Sequence, residues 1–287
     1  MAGLTDAPFR FLVGKNSSVL LYSEMMSARA LLLGSKDALR MLEGRNLIAQ
    51  IAVSDVNTAK ETALLLNNYE LAGLDLNCGC PVNKVLKQGC GSALLEDLPR
   101  LIAIVEALQT YSKHAVSVKI RLGLFKNNVE QIVQALAKMS LARLAIHART
   151  QKQGYSGKAD YLAIKRAKEL APSTPLLANG DIDASNAQEV LRLTGANGLM
   201  IGRAALGKPW IFDEIKSGKS MDKALRKALI KEHFALHMKH YKAHGLLLFR
   251  KHLHEYSKGL ENAASFRTAV NCCKDEGLLQ KLLEEFF

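Results

Sequence analysis

Residues 73–81, GLDLNCGCP, form a short apolar run that ends abruptly in Asn, Cys, Gly and Pro. A glycine-rich turn at residues 88–92 follows, and then a segment with helical periodicity. This pattern predicts a β-strand whose C-terminal end opens into a loop of polar, reactive side chains. In parallel α/β proteins the catalytic groups lie at such strand ends. The function of this loop therefore depends on which residues the neighbouring segments place beside it.

Apolar segments of strand type alternate with amphipathic segments of helical type along the first two thirds of the chain. The predicted strands are residues 19–25, 48–53, 73–77, 116–122, 144–147, 175–178 and 198–201. The predicted helices between them are residues 56–66, 98–111, 129–139, 161–170 and 187–193. Because the strands are near-continuous apolar runs, we expect a parallel sheet that is covered by helices.

Seven strand–helix units fit either a doubly wound sheet or a (β/α)8 barrel. Residues 1–10 predict a strand-to-helix loop with no strand before it, which favours a TIM barrel whose first strand is missing at the N-terminus. From Met221 onward, strand patterns give way to helical periodicity. We therefore predict an α/β chain with a (β/α)8 TIM barrel at residues 1–216 and a small C-terminal helical domain at residues 217–287.

The composition favours a cytoplasmic protein with a polyanionic partner. The net charge is +12, and residues 206–287 contain 15 Lys and Arg against 10 Asp and Glu. This excess favours nucleic acid, although a general Lys bias would give the same charge. The sequence contains neither a membrane-spanning apolar run nor a signal-peptide pattern, and its five unevenly spaced cysteines fit a reducing compartment. We expect no membrane association and no obligate protein partner.

A polar or basic group ends nearly every predicted strand. Glycines beside Asn, Asp and Arg follow the last two strands, and this combination predicts a phosphate site of the barrel type. The strand ends are Gln50, residues 77–80, 119–121, 147–149, 179–181 and 202–203.

Six motifs in order along the chain make it resemble the tRNA-dihydrouridine synthases, most closely the bacterial B-type branch. They are MAGLTDAPFR at residues 1–10, DLNCGCP at 75–81, VKIR at 118–121, IHART at 146–150, ANGDI at 178–182 and MIGRA at 200–204. Each motif is weak alone, but their order and spacing are specific. The resemblance covers the whole chain, including RKHL at residues 250–253.

The resemblance implies an FMN-containing barrel that reduces the C5=C6 bond of a D-loop uridine in tRNA, with NADPH or NADH as a transient reductant. Cys80 matches the catalytic cysteine of the family. The cofactor-binding residues implied by position are Met1, Ala2, Gln50, Lys119, His147, Asn179, Gly180, Asp181, Gly202 and Arg203. The implied substrate-binding residues are Asn77, Arg121, Arg149, Arg250 and Lys251.

The chemistry of this reaction explains the residue types. Hydride addition to uracil C6 requires a proton at C5, and a thiol of ordinary pKa, about 8.5, is mostly protonated at neutral pH. Cys80 is thus suited to act as a general acid, whereas Cys78 is expected to pack and Cys90 to be a small loop residue. A zinc site of these three cysteines lacks paired CxxC spacing. His147 is assigned to the site, although a core histidine is the alternative.

Six of the eight histidines lie at residues 233, 237, 240, 244, 252 and 254. We interpret the helically spaced members as a solvated or RNA-facing helix face, because no carboxylate joins them at ligand spacing, and we expect no metal. Two other functions remain open. One is an FMN-dependent barrel that acts on a small dihydropyrimidine-like substrate, and the other is a non-catalytic RNA-binding protein built on a decayed barrel.

Overall fold

A computed structural model describes residue 1 and residues 3–287. The chain forms two compact units, one of Leu20–Gly202 and the other of Met1–Val19 together with Arg203–Phe287. These bounds differ from the predicted division between residues 216 and 217, because the first helix belongs with the C-terminal helices. The assignment of tRNA binding to residues 217–287 stays a prediction.

The unit Leu20–Gly202 contains one parallel sheet. Its strands are β1 Leu21–Tyr22, β2 Met26–Ser27, β3 Leu47–Ala52, β4 Gly73–Cys78, β5 Val116–Arg121, β6 Arg143–His147, β7 Leu176–Asn179 and β8 Gly198–Met200. The order is β1-β3-β4-β5-β6-β7-β8, and β2 also pairs with β3. The strands thus fill seven positions in chain order, as in a (β/α)8 barrel, and no strand precedes β1 in the described residues. The predicted fold class is confirmed.

Helices alternate with these strands. They are α2 Ala28–Leu32, α3 Lys36–Arg40, α4 Val56–Leu66, α5 Asn83–Lys87, α6 Leu98–Tyr111, α7 Val129–Leu136, α8 Tyr161–Leu170 and α9 Ala187–Thr194. The predicted bounds of α4, α6 and α8 are confirmed. An aspartate stands immediately before each of these three helices, and its carboxylate accepts a backbone N–H three residues later, as an N-cap does. The N-cap residues are Asp55, Asp97 and Asp160.

The two faces of the sheet differ in chemistry. Leu76, Val118 and Ile146 are fully buried and alternate along their strands with polar residues. The polar face includes Asp75 and Ser117, which are hydrogen-bonded to each other. Every second residue of β5 is polar, as are Asp75 and Asn77 of β4, and these side chains lie on one face of the sheet. The predicted near-continuous apolar pattern is therefore wrong for these two strands.

The second unit is entirely helical. It consists of α1 Ala7–Asn16, α10 Ile211–Ser217, α11 Lys223–Tyr241, α12 Gly245–Tyr256, α13 Ala263–Cys272 and α14 Glu276–Phe286. Its core is aromatic, with Trp210, Phe234, Phe249 and Phe266 buried. Within residues 1 and 3–287, no helix is both long and apolar enough to cross a membrane.

The placement of α1 follows from Asp6, the N-cap residue of this helix. Its Oδ2 accepts a hydrogen bond from the Tyr241 hydroxyl at 3.1 Å and lies 3.2 Å from His237 Nε2. Phe9 on α1 is buried, and its ring stacks on that of His252. The first helix is therefore part of the packing of α11 and α12.

The interpretation of the helically spaced C-terminal histidines as a solvated face is wrong for His233 and His237, which are both 0% exposed, and His252 is buried as well, at 3%. A carboxylate does join them, but it comes from Asp6, more than two hundred residues away in the sequence. Spacing along one helix cannot reveal such a partner.

Candidate active site

Strand register brings several of the predicted site residues to neighbouring positions on the sheet. Asn77 of β4 pairs with Lys119 of β5, and Arg121 of β5 pairs with His147 of β6. His147 in turn pairs with Asn179 of β7. Because strand partners in register point to the same face, these side chains share one face of the sheet. The structure thus brings together five of the predicted site residues, namely Asn77, Lys119, Arg121, His147 and Asn179.

A chain of hydrogen bonds runs across this face from a buried acid to the cysteine loop. Gln50 Nε2 donates to Asp75 Oδ2 at 2.8 Å, and Asn77 Nδ2 donates to Gln50 Oε1 at 2.8 Å. Asn77 Oδ1 then accepts the backbone N–H groups of Gly79, at 3.0 Å, and Cys80, at 2.8 Å. The backbone of the loop therefore takes its position from Asp75 through two amide side chains. We call Asp75, Gln50, Asn77 and the Cys80 N–H the amide relay.

Burial controls the two ionisable groups beside the amide relay. Asp75 is fully buried, and this desolvation raises the pKa of its carboxyl to about 6, although Ser117 and Gln50 donate hydrogen bonds to it. Burial also lowers the pKa of Lys119 to about 8, helped by the nearby positive charge of Arg121. Lys119 Nζ has no hydrogen-bond partner among the residues that the structure describes. The site thus contains a cation that an anionic ligand would stabilise.

The three cysteines near the relay lie in different environments. Cys78 is fully buried, and desolvation together with Asp75 raises the pKa of its thiol well above the ordinary value. Burial also raises the pKa of Cys90, whose Sγ lies 3.7 Å from the Gln88 carbonyl oxygen. Cys80 is the most exposed of the three. Cys80 is therefore the most accessible of the three thiols, and Cys78 is buried, as predicted.

Gly91 holds the glycine-rich turn against Cys80. Its φ is +63°, and a Cβ at this position would lie 3.0 Å from the Cys80 carbonyl oxygen and 3.1 Å from Cys80 Cβ. Ser92 N–H also donates to that carbonyl at 3.3 Å. A side chain at residue 91 would thus move the cysteine itself.

We expect Gly91→Ala to lower turnover on tRNA as well as stability. The left-handed backbone costs an alanine about 1–2 kcal/mol. Gly89→Ala is the matched control, because Gly89 has φ +71° but a Cβ there would meet only the mobile end of Arg100 and the Ser54 side chain. Thermal denaturation and tRNA turnover should show similar losses of stability in both variants and a larger loss of turnover in Gly91→Ala. Equal turnover would show that the turn does not position Cys80.

Two predicted substrate-binding arginines use their guanidinium groups to hold loops. Arg121 Nε donates to the Gly79 carbonyl at 2.8 Å, and its Nη1 donates to the carbonyls of Thr150 and Gly154. Arg149 donates from Nε and Nη2 to the Gly157 carbonyl and forms an ion pair with Asp181. Arg149 Nη1 is buried without a hydrogen-bond partner in the described part of the chain. It is the one nitrogen of this guanidinium that remains for a ligand.

The end of β7 is fixed by its neighbours. Asn179 Nδ2 donates to the Met200 carbonyl at 2.6 Å, and the Tyr161 hydroxyl donates to the Gly180 carbonyl at 2.8 Å. Gly180 has φ +118°, and a Cβ there would lie 3.4 Å from the backbone nitrogen of Ala148. Glycine thus lets the ends of β6 and β7 approach closely, and it leaves the predicted phosphate site lined by backbone.

The remaining predicted residues are outside this sheet unit, apart from Gly202, its last residue. Arg203 begins a 3-10 turn, Arg203–Ala205, in the helical unit, where Met1 also lies. Ala2 is outside the described residues. Arg250 donates from Nη2 to the Cys273 carbonyl at 2.7 Å, so this guanidinium supports the end of α13. The roles of these residues, and of Lys251, in binding stay predictions.

Sequence reasoning missed two residues near the relay and the loops. Asp75 anchors the amide relay, and its alternation with Asn77 along the strand was a usable signal. Tyr155 is 54% exposed, with the Arg121 guanidinium 5.6 Å from its ring centre and the His147 ring 6.2 Å away. An exposed aromatic ring of this kind can stack with a nucleobase. No periodic pattern distinguishes a loop tyrosine, so the sequence alone gave no signal.

Comparison with protein families and with curated proteins gives one consistent result. The family model "Dihydrouridine synthase (Dus)" matches residues 1–287. A protein of Helicobacter pylori (strain ATCC 700392 / 26695) described as "Probable tRNA-dihydrouridine synthase" is 38% identical over 296 residues, covering 100% of this chain and 90% of its own. The "tRNA-dihydrouridine synthase B" of Vibrio parahaemolyticus is 38% identical over 302 residues, covering 100% of this chain and 94% of its own.

Solved structures show the same fold in distant proteins. The old yellow enzyme from Trypanosoma cruzi matches with a TM-score of 0.57 at 8% identity, covering 75% of this chain and 83% of its own. A variant of NCR from Zymomonas mobilis matches with a TM-score of 0.55 at 16% identity, covering 78% and 86%. At such low identities the likeness concerns the fold alone.

Proposed function

The chain belongs to the dihydrouridine synthase family, and we propose a mechanism for its reaction, the reduction of uridine to dihydrouridine in tRNA. In this mechanism Cys80 protonates uracil C5, and a bound flavin would supply the hydride to C6. The observation that supports it is the amide relay. It holds the loop of Cys80, the most exposed of the three neighbouring cysteines, near the half-buried cation of Lys119. A merely structural barrel has no need for such a constellation.

The residues on the polar face of the sheet suit FMN, an anionic cofactor with a phosphate. Lys119 is a desolvated cation without a hydrogen-bond partner in the described chain, and an anion beside it would offset the cost of its burial. Arg149 Nη1 is a second buried donor that lacks a partner within residues 1 and 3–287. The backbone at Gly180 adds a phosphate cradle that has no side chain. We therefore assign Lys119 to the flavin ring, and Asn179, Gly180 and Asp181 to the ribityl phosphate.

When bound, the flavin supplies the hydride that reduces uracil C6. The protein supplies the proton, because the Cys80 thiol donates to C5 as negative charge develops there, and the thiolate regains a proton from solvent. The amide relay fixes the Cys80 backbone, so the thiol approaches C5 from a defined direction. Tyr155 is placed to stack with the uracil ring near His147. NADPH or NADH would serve as the reductant of the flavin.

Direct assay of tRNA tests this function. Purified protein with FMN and NADPH should convert a uridine of unmodified tRNA into dihydrouridine, which mass spectrometry of nuclease digests detects. Dihydrouridine mapping in tRNA from cells that lack the protein should show loss at the same position. The rival activity on a small dihydropyrimidine-like substrate would show NADPH-dependent turnover of free uracil or uridine and none of tRNA.

We expect Lys251→Ala to weaken tRNA binding and to reduce the salt slope of its affinity by about one phosphate contact. Lys251, on α12, is partly exposed and forms no ion pair with any described residue. Arg250→Ala is the comparison variant, because the loss of its bond to the Cys273 carbonyl should lower the thermal stability in addition to any effect on tRNA binding. Filter binding across a salt series and thermal denaturation separate the two effects. An unchanged salt slope in Lys251→Ala would remove this residue from the tRNA interface.

We also propose Lys258 as a phosphate contact of the tRNA; its Nζ lies 2.6 Å from Glu255 Oε2. Because this pair is exposed, it stabilises the fold little and leaves the lysine able to exchange its partner for a phosphate. The predicted cytoplasmic location and the absence of an obligate protein partner stay predictions.

A further inference from the structure

A buried cluster in the helical unit has no role in uridine reduction. Asp6 Oδ2 lies 3.2 Å from His237 Nε2 and 3.7 Å from His252 Nε2, and the three ligand atoms all lie within 4.8 Å of one another. Asp6, His237 and His252 are 3%, 0% and 3% exposed. These residues come from the N-cap of α1, from α11 and from α12, so the cluster joins three helices.

The donors and acceptors of this cluster do not match, because one close contact joins two acceptor atoms. His237 Nδ1 lies 3.2 Å from the Gly245 carbonyl oxygen, which can only accept, so Nδ1 carries the proton. Its Nε2 then points a lone pair at Asp6 Oδ2, which is also an acceptor. Either a second proton or a cation must lie between these two atoms. A second proton on His237 would satisfy this contact alone.

His252 provides the observation that favours a cation. Its Nε2 is buried and has no hydrogen-bond partner among the described residues, although it lies beside the same Asp6 oxygen. A neutral imidazole offers a lone pair at such a nitrogen, and a metal ion can accept it. At 3.7 Å the nitrogen and oxygen are too far apart for a hydrogen bond. Two ligands of one tetrahedral zinc ion, each about 2.0–2.1 Å from it, lie about 3.3 Å apart. The observed separations of 3.2 and 3.7 Å bracket that value.

The surroundings of the cluster also match those of a metal site. Metal-binding histidines usually donate their other N–H to a carbonyl, and ligating carboxylates are themselves hydrogen-bonded. His237 does the first through Gly245, and Asp6 does the second through the Tyr241 hydroxyl at 3.1 Å and the Phe9 N–H at 3.2 Å. The rings of Phe9 and Phe249 lie against His252 and exclude water.

We propose that Asp6, His237 and His252 form a structural site for a divalent transition-metal ion, with zinc as the expected metal. Two imidazoles and one carboxylate are a donor set that zinc accepts, and zinc imposes no redox chemistry on a flavoprotein. The ion would tie α1 to α11 and α12, and its binding free energy would add to the stability of the helical unit. The proposal departs from our sequence-based expectation that the chain binds no metal, and the experiment below decides between the two.

The test uses the full-length protein, purified without a histidine tag and incubated with zinc. After dialysis, elemental analysis should find about one zinc per chain. Chelator should lower the melting temperature, and zinc but not magnesium should restore it. A wild-type protein that retains no zinc, and whose melting temperature ignores both zinc and chelator, would overturn the proposal in favour of a protonated His237–Asp6 pair. This outcome needs no variant, so it stands even if the substitutions below prevent folding.

Four variants, one of them a matched control, localise the ion. His252→Gln should weaken zinc binding at least 10–100-fold, and Tyr241→Phe, which removes a hydrogen bond to the ligating carboxylate, about 10-fold. His254→Gln is the matched control on the same helix, because His254 contacts Asn271 outside the cluster. Cys272→Ser removes the exposed cysteine of the helical unit that could bind zinc adventitiously. Loss of zinc in Cys272→Ser, or full retention in His252→Gln, would place the metal elsewhere and overturn the assignment.

Discussion

Cys80→Ala should bind flavin and oxidise NADPH at normal rates but lose about 10²–10⁴-fold in turnover on tRNA, the usual contribution of a general acid. The physical reason is that hydride addition at C6 cannot be completed without a proton at C5. Cys80 is the thiol that the amide relay positions and that remains partly exposed. Stopped-flow measurement of the flavin separates its reduction by NADPH from its oxidation by tRNA, and only the second step should slow.

Cys90→Ala is the matched control for this variant. Cys90 lies in the same glycine-rich turn, but it is 7% exposed and burial raises the pKa of its thiol, so we expect nearly normal turnover. Normal turnover in Cys80→Ala together with a large loss in Cys90→Ala would show that the acid has been assigned to the wrong cysteine.

Lys119→Met should yield a folded protein whose affinity for FMN is about 10–100-fold weaker. A hydrogen bond to a charged group contributes about 1.5–3 kcal/mol, and each 1.4 kcal/mol is about tenfold in affinity. Methionine keeps most of the volume of the lysine stem, so the fold should survive. Lys138→Met, at an exposed position after α7, is the control for general loss of charge. Full flavin occupancy in Lys119→Met would move the anionic edge of the cofactor away from this strand end.

The same lysine predicts a pH dependence. Burial lowers the pKa of Lys119 to about 8 in the unliganded protein, and a bound anion would raise it again. Below about pH 8 the side chain is already charged when the flavin arrives. Above it, binding must take up a proton, so the dissociation constant should rise by up to about tenfold per pH unit. Fluorescence titration of apoprotein with FMN between pH 7 and 9 measures this slope, which should be absent in Lys119→Met.

The sequence predicted the bounds of helices and strands well where a single residue determines the boundary. The start of α4 is one such boundary, because the Asp55 carboxylate accepts the Thr58 N–H and caps the helix. The predicted strand at residues 19–25 contains only β1, and β2 begins at Met26, one residue after the predicted end. The reason is that Ser23 Oγ accepts the Gln50 N–H at 2.8 Å and donates to the Glu24 carbonyl at 2.7 Å, which interrupts the backbone ladder. Asn186 stands at the N-cap position of α9, but its side chain makes no capping hydrogen bond.

For the site, the sequence predicted which residue types end each strand but not how they bond to one another. Gln50 and Asn77 were expected to contact ligands, and the structure shows that they also bind each other. Arg121 was expected to meet the substrate, and its guanidinium holds three backbone carbonyls. These partners are separated from it by 29 to 42 residues along the chain, so only the folded sheet brings them together.

The grouping of α1 with the C-terminal helices sets an order for folding during synthesis. Asp6 and His237 are 231 residues apart, and ribosomes add roughly 5–20 residues per second, so α1 leaves the ribosome roughly 10–50 s before its partner exists. The whole sheet unit, Leu20–Gly202, is made in that interval. The nascent chain must therefore keep the apolar face of α1, with Phe9, Leu12 and Val13, from premature association until translation is nearly complete.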